Sequence, residues 1–352
     1  MAQDLHEIRQ YKNCHGATCC RFGRAGSVFN AVLVCRRSAE VPHPAASAAS
    51  ARERKGDRVV IQGTAPVSNV LTIDVEEYFH PTEVQAFLDQ SQWEAMPSRV
   101  ERQVYMLLDL LEAKRVRATF FMLGWVAEHQ PALLRAIAGR GHEIGCHSYA
   151  HRLVYDLTPA QFREDTMRAV STIAGICGVA PRAYRAPSYS ITRESFWALE
   201  TLIECGFTHD SSIYPIAHDR YGIEGFERCA HVLRTPSGPI HEVPIATVRL
   251  ANGRVAPIGG GGYLRLLPYR YTAAGIRRVN RVEQQPACVY FHPWEIDPQL
   301  PRLATGLIAR LRTYTGLRGM RGKLERLLGE FHFAPLTEVH PAPAAVAATP
   351  AG

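Results

Sequence analysis

A run of acidic side chains directly follows an apolar stretch at residues 71–80, which read LTIDVEEYFH. Because successive side chains of a strand point to opposite faces, Asp74 and Glu76 share one face and Glu77 lies on the other. Two carboxylates side by side at the end of a strand repel each other unless a cation lies between them or they share a proton. The stretch therefore predicts a cation site, with a solvated acidic turn as the alternative.

Two histidines, His147 and His151, follow another short apolar stretch at i, i+4 spacing. On a helical turn this spacing places both imidazoles on one face, although a polar surface turn would explain the pair equally well. Together with Glu76 they form two histidines and one carboxylate, a common hydrolytic metal set that leaves positions open for water and substrate. We therefore expect these three side chains to hold a divalent metal ion, with Zn²⁺ as the expected ion.

Three further side chains suit the chemistry of such a site. A bound metal ion lowers the pKa of its water to roughly 7 and polarises a substrate carbonyl. Asp74 would take the proton of that water if it is not itself a ligand, and Arg185 would pair with Asp74 and keep it ionised. His292 follows the apolar residues 287–291 and suits the general acid that protonates a leaving nitrogen. The alternatives are a surface salt bridge for Arg185 and a core histidine at position 292.

Strand-like and helical patterns alternate between residues 70 and 210, and each polar cluster follows a strand. This alternation predicts parallel β/α units, and the number of units favours an α/β fold of the distorted (β/α) barrel type. In such a barrel the loops at the carboxyl ends of the strands build the site. The side chains expected to meet at one mouth are Asp74, Glu76, His147, Arg185, Asp210 and His292.

Several local expectations concern the elements between these clusters. Ser98 is expected to cap a helix that begins near Val100, and Thr158-Pro-Ala-Gln161 is a capping box that opens another helix, which is expected to end at Gly178. Continuous helices are expected over about residues 126–140 and 303–328. The glycine run at 258–263 does not match a phosphate loop, and a flexible lid over the site is one interpretation.

The composition indicates one globular domain with tails. The 352 residues are 46% hydrophobic and 21% charged, enough for one sizeable α/β domain. Residues 1–68 hold ten Lys/Arg and five Asp/Glu, so most of the formal net charge of +7 lies there and the body is nearly neutral. This distribution argues against nucleic-acid binding.

Compartment signals favour a cytoplasmic location. The nine cysteines contain no Cys-x-x-Cys pair, which indicates a reducing environment. No apolar run is long enough for a transmembrane helix, so an integral membrane protein is not expected. The N-terminal residues also lack a basic region followed by a long apolar region, which argues against export by a secretory signal.

Domain boundaries follow from changes in sequence character. Residues 1–67 lack sustained periodicity and include an Ala/Ser/Pro-rich run, which predicts a disordered or mis-started extension. Residues 68–336 form the expected domain, and its less regular C-terminal region covers about residues 213–336. Residues 337–352 are rich in Ala and Pro and are expected to form a disordered tail.

Five motifs occur in order: Thr72-Ile-Asp-Val-Glu76, His147-Ser-Tyr-Ala-His151, Arg185-Ala-Pro-Ser-Tyr189, Asp210-Ser-Ser212 and Tyr290-Phe-His-Pro-Trp294. Together they resemble the polysaccharide deacetylases of carbohydrate esterase family 4, the nodulation-deacetylase homology domain. The chain looks most like the subfamily found in exosortase-linked (PEP-CTERM) exopolysaccharide loci, because the sequence around Tyr263 and after His292 is similar to the C-terminal region of that subfamily. The resemblance covers about residues 68–336 and implies the same barrel fold.

The resemblance implies a role for each matched residue. The catalytic residues it implies are the general base Asp74, the base-orienting Arg185, the general acid His292 and its tuning partner Asp210. The metal ligands it implies are His147 and His151, and the residues expected to bind substrate are Tyr189 and Trp294. Two departures from the family pattern occur. Val75 occupies the position of the second, metal-binding aspartate, so the third ligand is Glu76, and the aromatic residue after Arg-x-Pro is displaced to Tyr189.

The sequence thus predicts a metal-dependent hydrolase of carbon–nitrogen bonds that removes N-acetyl groups from hexosamine units of an exopolysaccharide or its lipid-linked precursor. Two alternatives stay open: an allantoinase-like small-amide hydrolase on the same fold, and a catalytically silent sugar-binding protein. The expected partner is an N-acetylated polysaccharide or oligosaccharide, and homo-oligomerisation is left open.

Overall fold

The computed structural model describes residues 67–218 and 220–342. Its strands are β1 Ser68–Val75, β2 Thr119–Met122, β3 Glu143–Cys146, β4 Ala183–Tyr184, β5 His209–Asp210, β6 His231–Thr235, β7 Gly238–Glu242, β8 Thr247–Arg249, β9 Val255–Pro257, β10 Cys288–Phe291 and β11 His332–Ala334. Its α-helices are α1 Thr82–Gln85, α2 Val100–Lys114, α3 Gly124–His129, α4 Pro131–Gly139, α5 Pro159–Cys177, α6 Trp197–Glu204, α7 Gly261–Leu266, α8 Tyr269–Arg281, α9 Leu307–Tyr314, α10 Leu317–Glu330 and α11 Leu336–Val339.

The main sheet places strands side by side in chain order. In the described residues its strand order is β10-β1-β2-β3-β4-β5-β7-β6, and β11 also pairs with β1. All neighbours are parallel except the β6–β7 hairpin. Helices connect strands β1 to β5 in succession, so the carboxyl ends of these parallel strands meet at one rim. The predicted α/β fold with a parallel sheet is confirmed.

Backbone hydrogen bonds bring the far side of the sheet back toward β10. Ala287 O and Val289 O accept bonds from the β1 side, so Cys288 O and Tyr290 N–H point to the opposite edge of β10. At that edge the Ala246 N–H donates to Cys288 O (2.9 Å), and the Tyr290 N–H donates to Gly259 O (2.8 Å). The sheet therefore curls toward closure through the segments after β7 and β9, a distorted version of a regular barrel.

The helix packed after β1 shows how the sequence pattern becomes core. The apolar residues of α2 recur at helical spacing, and five of them have no exposed surface: Val100, Val104, Leu107, Leu108 and Leu111. Each such side chain contributes about 1.5–3 kcal/mol by leaving water. The helix ends at Arg115, which adopts a left-handed conformation.

The longest helix, α5, has the ends that its sequence predicts. The Gln161 N–H donates to Thr158 Oγ1 (3.3 Å), and the Thr158 N–H donates to Gln161 Oε1 (2.9 Å), which completes the capping box. Gly178 ends the helix at φ 76°, a conformation that favours glycine. This helix carries Asp165, which matters for the site described below.

Three local expectations differ from the structure. The predicted helix over residues 126–140 is two helices, α3 and α4, because Pro131 starts a new helix and cannot continue the previous one. The predicted helix over residues 303–328 is divided into α9 and α10, with Gly316 in a left-handed conformation between them. The glycine run is packed, since a side chain at Gly261 would collide with the Glu295 carboxylate, so close approach explains this glycine.

The tails lie largely outside the described residues. The predicted extension over residues 1–67 falls there except for Val67, as does the end of the predicted tail from residue 343 onward. Residues 336–339 form α11, so secondary structure continues beyond the predicted domain end at residue 336. Among the described residues, no helix combines the length and apolarity needed to span a membrane.

Candidate active site

A cavity of about 330 Å³ opens at the rim where the strands end. The predicted site residues that line it are Asp74, Glu76, His147, His151, Tyr189, His292 and Trp294. These side chains come from the ends of β1, β3, β4 and β10, which are far apart in the sequence. The parallel sheet therefore brings together most of the residues that the sequence singles out.

Glu76, His147 and His151 form a compact buried cluster. One ligand atom from each lies within 4.8 Å of the others, and all three residues are buried. His151 Nε2 is 2.8 Å from Glu76 Oε2. The expected third ligand is thus placed with the two imidazoles, as the strand alternation predicts for Glu76 rather than for Glu77.

The donor atoms of this cluster fit a small divalent cation. His147 Nδ1 donates to Arg185 O (2.8 Å), which leaves Nε2 with a free lone pair, the arrangement common in metal-binding histidines. Glu76 Oε2 is buried, and apart from the His151 imidazole no donor of the described residues reaches it. Two imidazoles and one carboxylate are the set typical of catalytic zinc sites. The residues present therefore match a site for a divalent metal ion.

Burial and nearby charge set the protonation of two ligands. Burial lowers the pKa of His147 to about 4, although the charges of Asp74 and Glu76 oppose this shift. Burial alone would raise the pKa of Glu76, but attraction to His151 and His292 outweighs it and holds that pKa well below its usual range. At neutral pH His147 is therefore a neutral imidazole and Glu76 an ionised carboxylate, and these are the protonation states that bind cations.

The segment that carries the two histidines is a loop, contrary to the expected helical turn. Ser148 and His151 adopt left-handed conformations, with φ of 63° and 51°. The His151 N–H donates to Ser148 Oγ (3.1 Å), and the Asp165 carboxylate accepts from the backbone N–H groups of Tyr149 (2.8 Å) and Ala150 (3.2 Å). These bonds replace helical ones and still bring the two imidazole rings to 5.3 Å between centroids. Asp165 is therefore a positioning residue that spacing alone did not reveal.

Glu77 makes different contacts from Glu76. Its carboxylate accepts from the Ser98 hydroxyl (2.5 Å) and from the backbone N–H groups of Arg99 (2.9 Å) and Val100 (3.1 Å). Ser98, the expected cap, thus acts only as one donor, and Glu77 caps the N-terminus of α2 from a distant part of the sequence. The acidic run therefore divides into one carboxylate at the cavity and one that stabilises a helix.

Asp74 and Arg185 form a buried ion pair. Arg185 Nη1 donates to Asp74 Oδ1 and to Thr72 Oγ1, each at 2.7 Å, and its other nitrogens donate to the carbonyl and hydroxyl oxygens of Ser211. The Arg185 side chain has no exposed surface. Burial alone would lower the pKa of Arg185, but the Asp74 carboxylate outweighs that effect and raises it above its usual value. The predicted pairing of these residues is present, and it fixes the orientation of Asp74 at the cavity.

His292 lies beside the cluster of Glu76, His147 and His151 and next to two carboxylates. Its Nε2 is 3.5 Å from Glu76 Oε1, and its Nδ1 is 3.9 Å from Glu295 Oε2. The Glu295 side chain is buried and lies 3.4 Å from Arg265 Nε. Trp294 stacks on the His292 ring at 5.1 Å and donates from Nε1 to Glu76 Oε1 (3.3 Å). Trp294, which is predicted to bind substrate, thus also orients the Glu76 carboxylate of the cluster.

Asp210 lies apart from His292, contrary to its predicted role. Ser212 Oγ donates to Asp210 Oδ1 (2.5 Å), and Ser212 Oγ in turn accepts from the Ala186 N–H (2.8 Å). Burial and repulsion by Asp210 raise the pKa of Glu242 well above its usual range, so this carboxyl group stays protonated beside its neighbour. In the described part of the chain no hydrogen bond or ion pair joins Asp210 to His292. The carboxylate in that position is Glu295.

Some residues at the site carried no assigned role in the sequence. Glu295 is a carboxylate three residues after His292, and Arg265 is a cation after the glycine run. The spacing of these residues in the sequence does not predict the contact between Glu295 and Arg265. Gln85 lies 3.2 Å from His151 Nδ1 through its Nε2, and no pattern links these two residues. Tyr189 is buried at the cavity, where its ring meets that of Tyr290 at 4.9 Å. Its backbone N–H donates to Ala186 O, so the local turn uses this group.

Two family models match consecutive parts of the chain. The model described as polysaccharide deacetylase matches residues 92–208, and the model described as a domain of unknown function, DUF3473, matches residues 211–341. His147, His151 and Arg185 lie in the first match and His292 in the second, whereas Asp74 and Glu76 precede both. The site is therefore assembled from both matched regions and from the preceding strand.

Curated relatives match over short stretches. A peptidoglycan-N-acetylglucosamine deacetylase of Bacillus cereus is 34% identical over 95 residues, which cover 27% of this chain and 34% of that protein. A chitooligosaccharide deacetylase of Bradyrhizobium sp. is 37% identical over 82 residues, which cover 23% of this chain and 37% of that protein. The matches thus span about a third of the length of these relatives.

Solved structures resemble the chain over a longer range. A crystal structure described as a polysaccharide deacetylase from Mycobacterium smegmatis aligns with a TM-score of 0.54 at 18% identity, covering 78% of this chain and 88% of that one. The Puue allantoinase structure aligns with a TM-score of 0.51 at 16% identity, with the same two coverages. At these identities the likeness establishes the fold alone.

Proposed function

We propose that this chain, whose residues 92–208 match the polysaccharide deacetylase family model, is a metal-dependent hydrolase that removes N-acetyl groups from sugar units. The relatives named for deacetylation of peptidoglycan and chitooligosaccharides support this reaction class. The observation that carries the proposal is the convergence of Glu76, His147 and His151 within 4.8 Å at the floor of one cavity.

The side chains around this cluster suit the hydrolysis of an acetamide. A divalent cation held by the cluster, which we propose to be Zn²⁺, would polarise the acetamide carbonyl and lower the pKa of water. Asp74, held by Arg185, accepts the proton of the attacking water. His292 donates a proton to the sugar nitrogen as the carbon–nitrogen bond breaks. The products are acetate and the free amino sugar.

The cavity wall suits a sugar ring. Tyr189, Tyr290 and Trp294 present aromatic surface next to the catalytic side chains, and Thr82 and Ser188 supply hydroxyl groups at its edge. Aromatic faces combined with a few polar groups are typical of sites that bind a partly apolar, hydroxylated ligand. These features support the predicted roles of Tyr189 and Trp294 in substrate binding.

We further propose that the substrate is an exopolysaccharide or its lipid-linked precursor, from an exosortase-linked locus. The support is the resemblance of the sequence around Tyr263 and after His292 to that subfamily, in a region that a second family model, DUF3473, also matches. Cytoplasmic location is part of the same proposal. The cysteines of the described residues, among them the buried Cys146 and Cys288, are free thiols, as a reducing compartment would require.

The reaction is tested by incubating the purified, zinc-loaded chain with N-acetylglucosamine oligomers and, separately, with allantoin. We expect acetate release from the oligomers, loss of that release in His292→Gln, and no turnover of allantoin. Allantoin turnover without acetate release would identify a small-amide hydrolase instead. Oligomer binding without hydrolysis, unchanged in Asp74→Asn, would identify a sugar-binding protein. An N-acetylated exopolysaccharide compared with peptidoglycan then tests the substrate class.

A further inference from the structure

Helix α9 turns its apolar residues away from the protein. Leu307, Ile308 and Leu311 are 71%, 69% and 57% exposed, whereas the small residues Ala309 and Thr313 are buried. An ordinary surface helix has the reverse arrangement, because large apolar side chains gain most from leaving water. The outward apolar face therefore requires an explanation outside the fold itself.

The geometry of the helix makes this face a single stripe. Each residue advances about 100° around the axis, which places Leu307, Ile308 and Leu311 within roughly 100° of one another and opposite the buried side. Arg310 and Arg312 flank the stripe, one on either side. A helix with an apolar face bordered by arginines is the arrangement of helices that lie in the membrane interface.

The surrounding sequence is uniformly basic. Residues 298–324 contain six Arg and Lys residues and no Asp or Glu. Arg302, Arg310 and Arg318 are exposed and form no ion pair with any residue of the described ranges. Arg312 is 54% exposed and has Glu83 at 3.5 Å, a contact shared with Arg220. The surface around α9 is thus complementary to an anionic partner.

Apolar surface from another element extends the stripe. Phe87 is 56% exposed, and its ring lies beside Gly306, where an added Cβ would be 3.6 Å from Phe87 Cζ. We call Phe87, Leu307, Ile308 and Leu311 with the flanking Arg310 and Arg312 the α9 patch. Contiguous exposed apolar surface of this kind marks an interaction site.

We propose that the α9 patch docks this protein on the surface of a membrane that contains anionic phospholipid. The apolar stripe enters the boundary between headgroups and acyl chains, and the arginines contact lipid phosphates. A protein partner would satisfy the apolar stripe equally well, but the absence of acidic residues across 298–324 favours a uniformly anionic surface over a mixed protein surface.

Docking at this position would place the candidate active site at the membrane. Arg312 and Thr313 line the cavity, and so does Leu266, which is 47% exposed at the end of α7. The Arg265 side chain donates to Arg312 O, so the cavity wall and α9 are joined by a direct bond. A sugar carried on a membrane lipid would then meet the cavity without leaving the surface.

The full-length chain should be sedimented with vesicles of phosphatidylcholine and with vesicles that also contain phosphatidylglycerol. We expect binding to the anionic vesicles only, weakened by added salt. Ile308→Asp should reduce the partition coefficient roughly tenfold or more. Arg310→Gln should reduce it about fivefold. Matched controls are Val282→Asp, at an exposed apolar residue directly after α8, and Arg102→Gln on α2, and both should bind as wild type.

Residues 1–68 are also basic and could bind anionic vesicles by themselves, so only the comparison of variants tests the α9 patch. Wild-type binding that persists in Ile308→Asp would overturn the proposal, as would equal binding to neutral and anionic vesicles. A wild-type dimer in size-exclusion chromatography that becomes monomeric in Ile308→Asp, without a change in vesicle binding, would identify the patch as a protein interface and also overturn it. Unchanged circular dichroism of the variants excludes misfolding, and the assay requires no substrate.

Discussion

Replacement of Asp74 by asparagine separates the chemistry of the site from its stability. Asp74 lies in a buried ion pair with Arg185, and the Nη1–H group of that arginine also reaches Thr72 Oγ1. Asparagine keeps an oxygen that accepts from Arg185, but it cannot act as a base. Alanine removes both the base and the acceptor, so the two variants should differ in stability while sharing the loss of activity.

The magnitudes follow from burial. In Asp74→Ala the guanidinium of Arg185 is left buried with neither a counter-charge nor an acceptor at position 74, which should cost about 3–5 kcal/mol of the free energy of unfolding. In Asp74→Asn the counter-charge is lost as well, but an oxygen that accepts from Arg185 remains, so the cost should be smaller, roughly 1–3 kcal/mol. Loss of the general base should reduce the rate of acetate release by about 10²- to 10⁴-fold in both variants.

The assay combines urea unfolding with acetate release from N-acetylglucosamine oligomers. Asp297→Asn is the matched control, because Asp297 pairs with Arg99 at 2.6 Å but does not line the cavity. We expect this control to lose stability and to keep its activity. Asp74→Asn activity within tenfold of wild type would refute the assignment of Asp74 as the base. Equal stability of the two Asp74 variants would refute the argument from the buried pair.

Three other predictions concern separate parts of the structure. Glu77→Gln should lower the free energy of unfolding by about 1–2 kcal/mol, because three donors lose a charged acceptor at the start of α2, while the exposed Glu101→Gln should change it little. Burial lowers the pKa of His142 to about 4, so the unfolded chain takes up a proton between about pH 6.5 and 4 that the folded chain does not. As the pH decreases through that range, the free energy of unfolding should therefore fall more steeply in wild type than in His142→Gln. Equal dependence of this free energy on pH in the two proteins, measured by urea titration, would contradict the prediction. Trp294→Phe removes the hydrogen bond to Glu76 and should weaken zinc affinity roughly 10- to 100-fold in a chelator competition, whereas unchanged affinity would show that the bond does not orient the ligand.

Strand periodicity and end signals carried most of what the sequence could predict. The alternation of side chains distinguishes Glu76 from Glu77, and the structure places the first in the cavity and the second at a helix end. The capping box at Thr158 and the glycine at 178 define both ends of α5. These features are local, so neighbouring residues contain the information that determines them.

Contacts between distant segments were harder to anticipate. The carboxylate beside His292 is Glu295 rather than Asp210, because Asp210 is held by Ser212 next to Glu242. The histidine loop is not helical, since Asp165 on α5 captures the backbone N–H groups that a helix would use. Each of these outcomes depends on which side chain of a neighbouring element packs next to a given hydrogen-bond donor. The spacing of residues along the sequence does not contain that information.

The outward apolar face of α9 shows that a local pattern can also predict the wrong side of a helix as buried. Its pattern of Leu307, Ile308 and Leu311 indicates an amphipathic helix, and the sequence alone would place that face in the core. The small residues Ala309 and Thr313 occupy the packed side instead. Periodicity identifies which residues share a face, but only the packing determines which face is covered.

The proposal that Glu76, His147 and His151 together hold one cation is tested most directly by the zinc content of purified variants. Wild type should retain a single equivalent after dialysis. Glu76→Gln and His147→Ala should lose it, whereas Glu77→Gln, which changes the adjacent carboxylate, should retain it. Zinc retained by Glu76→Gln at the wild-type level, or lost equally in Glu77→Gln, would contradict the site described here.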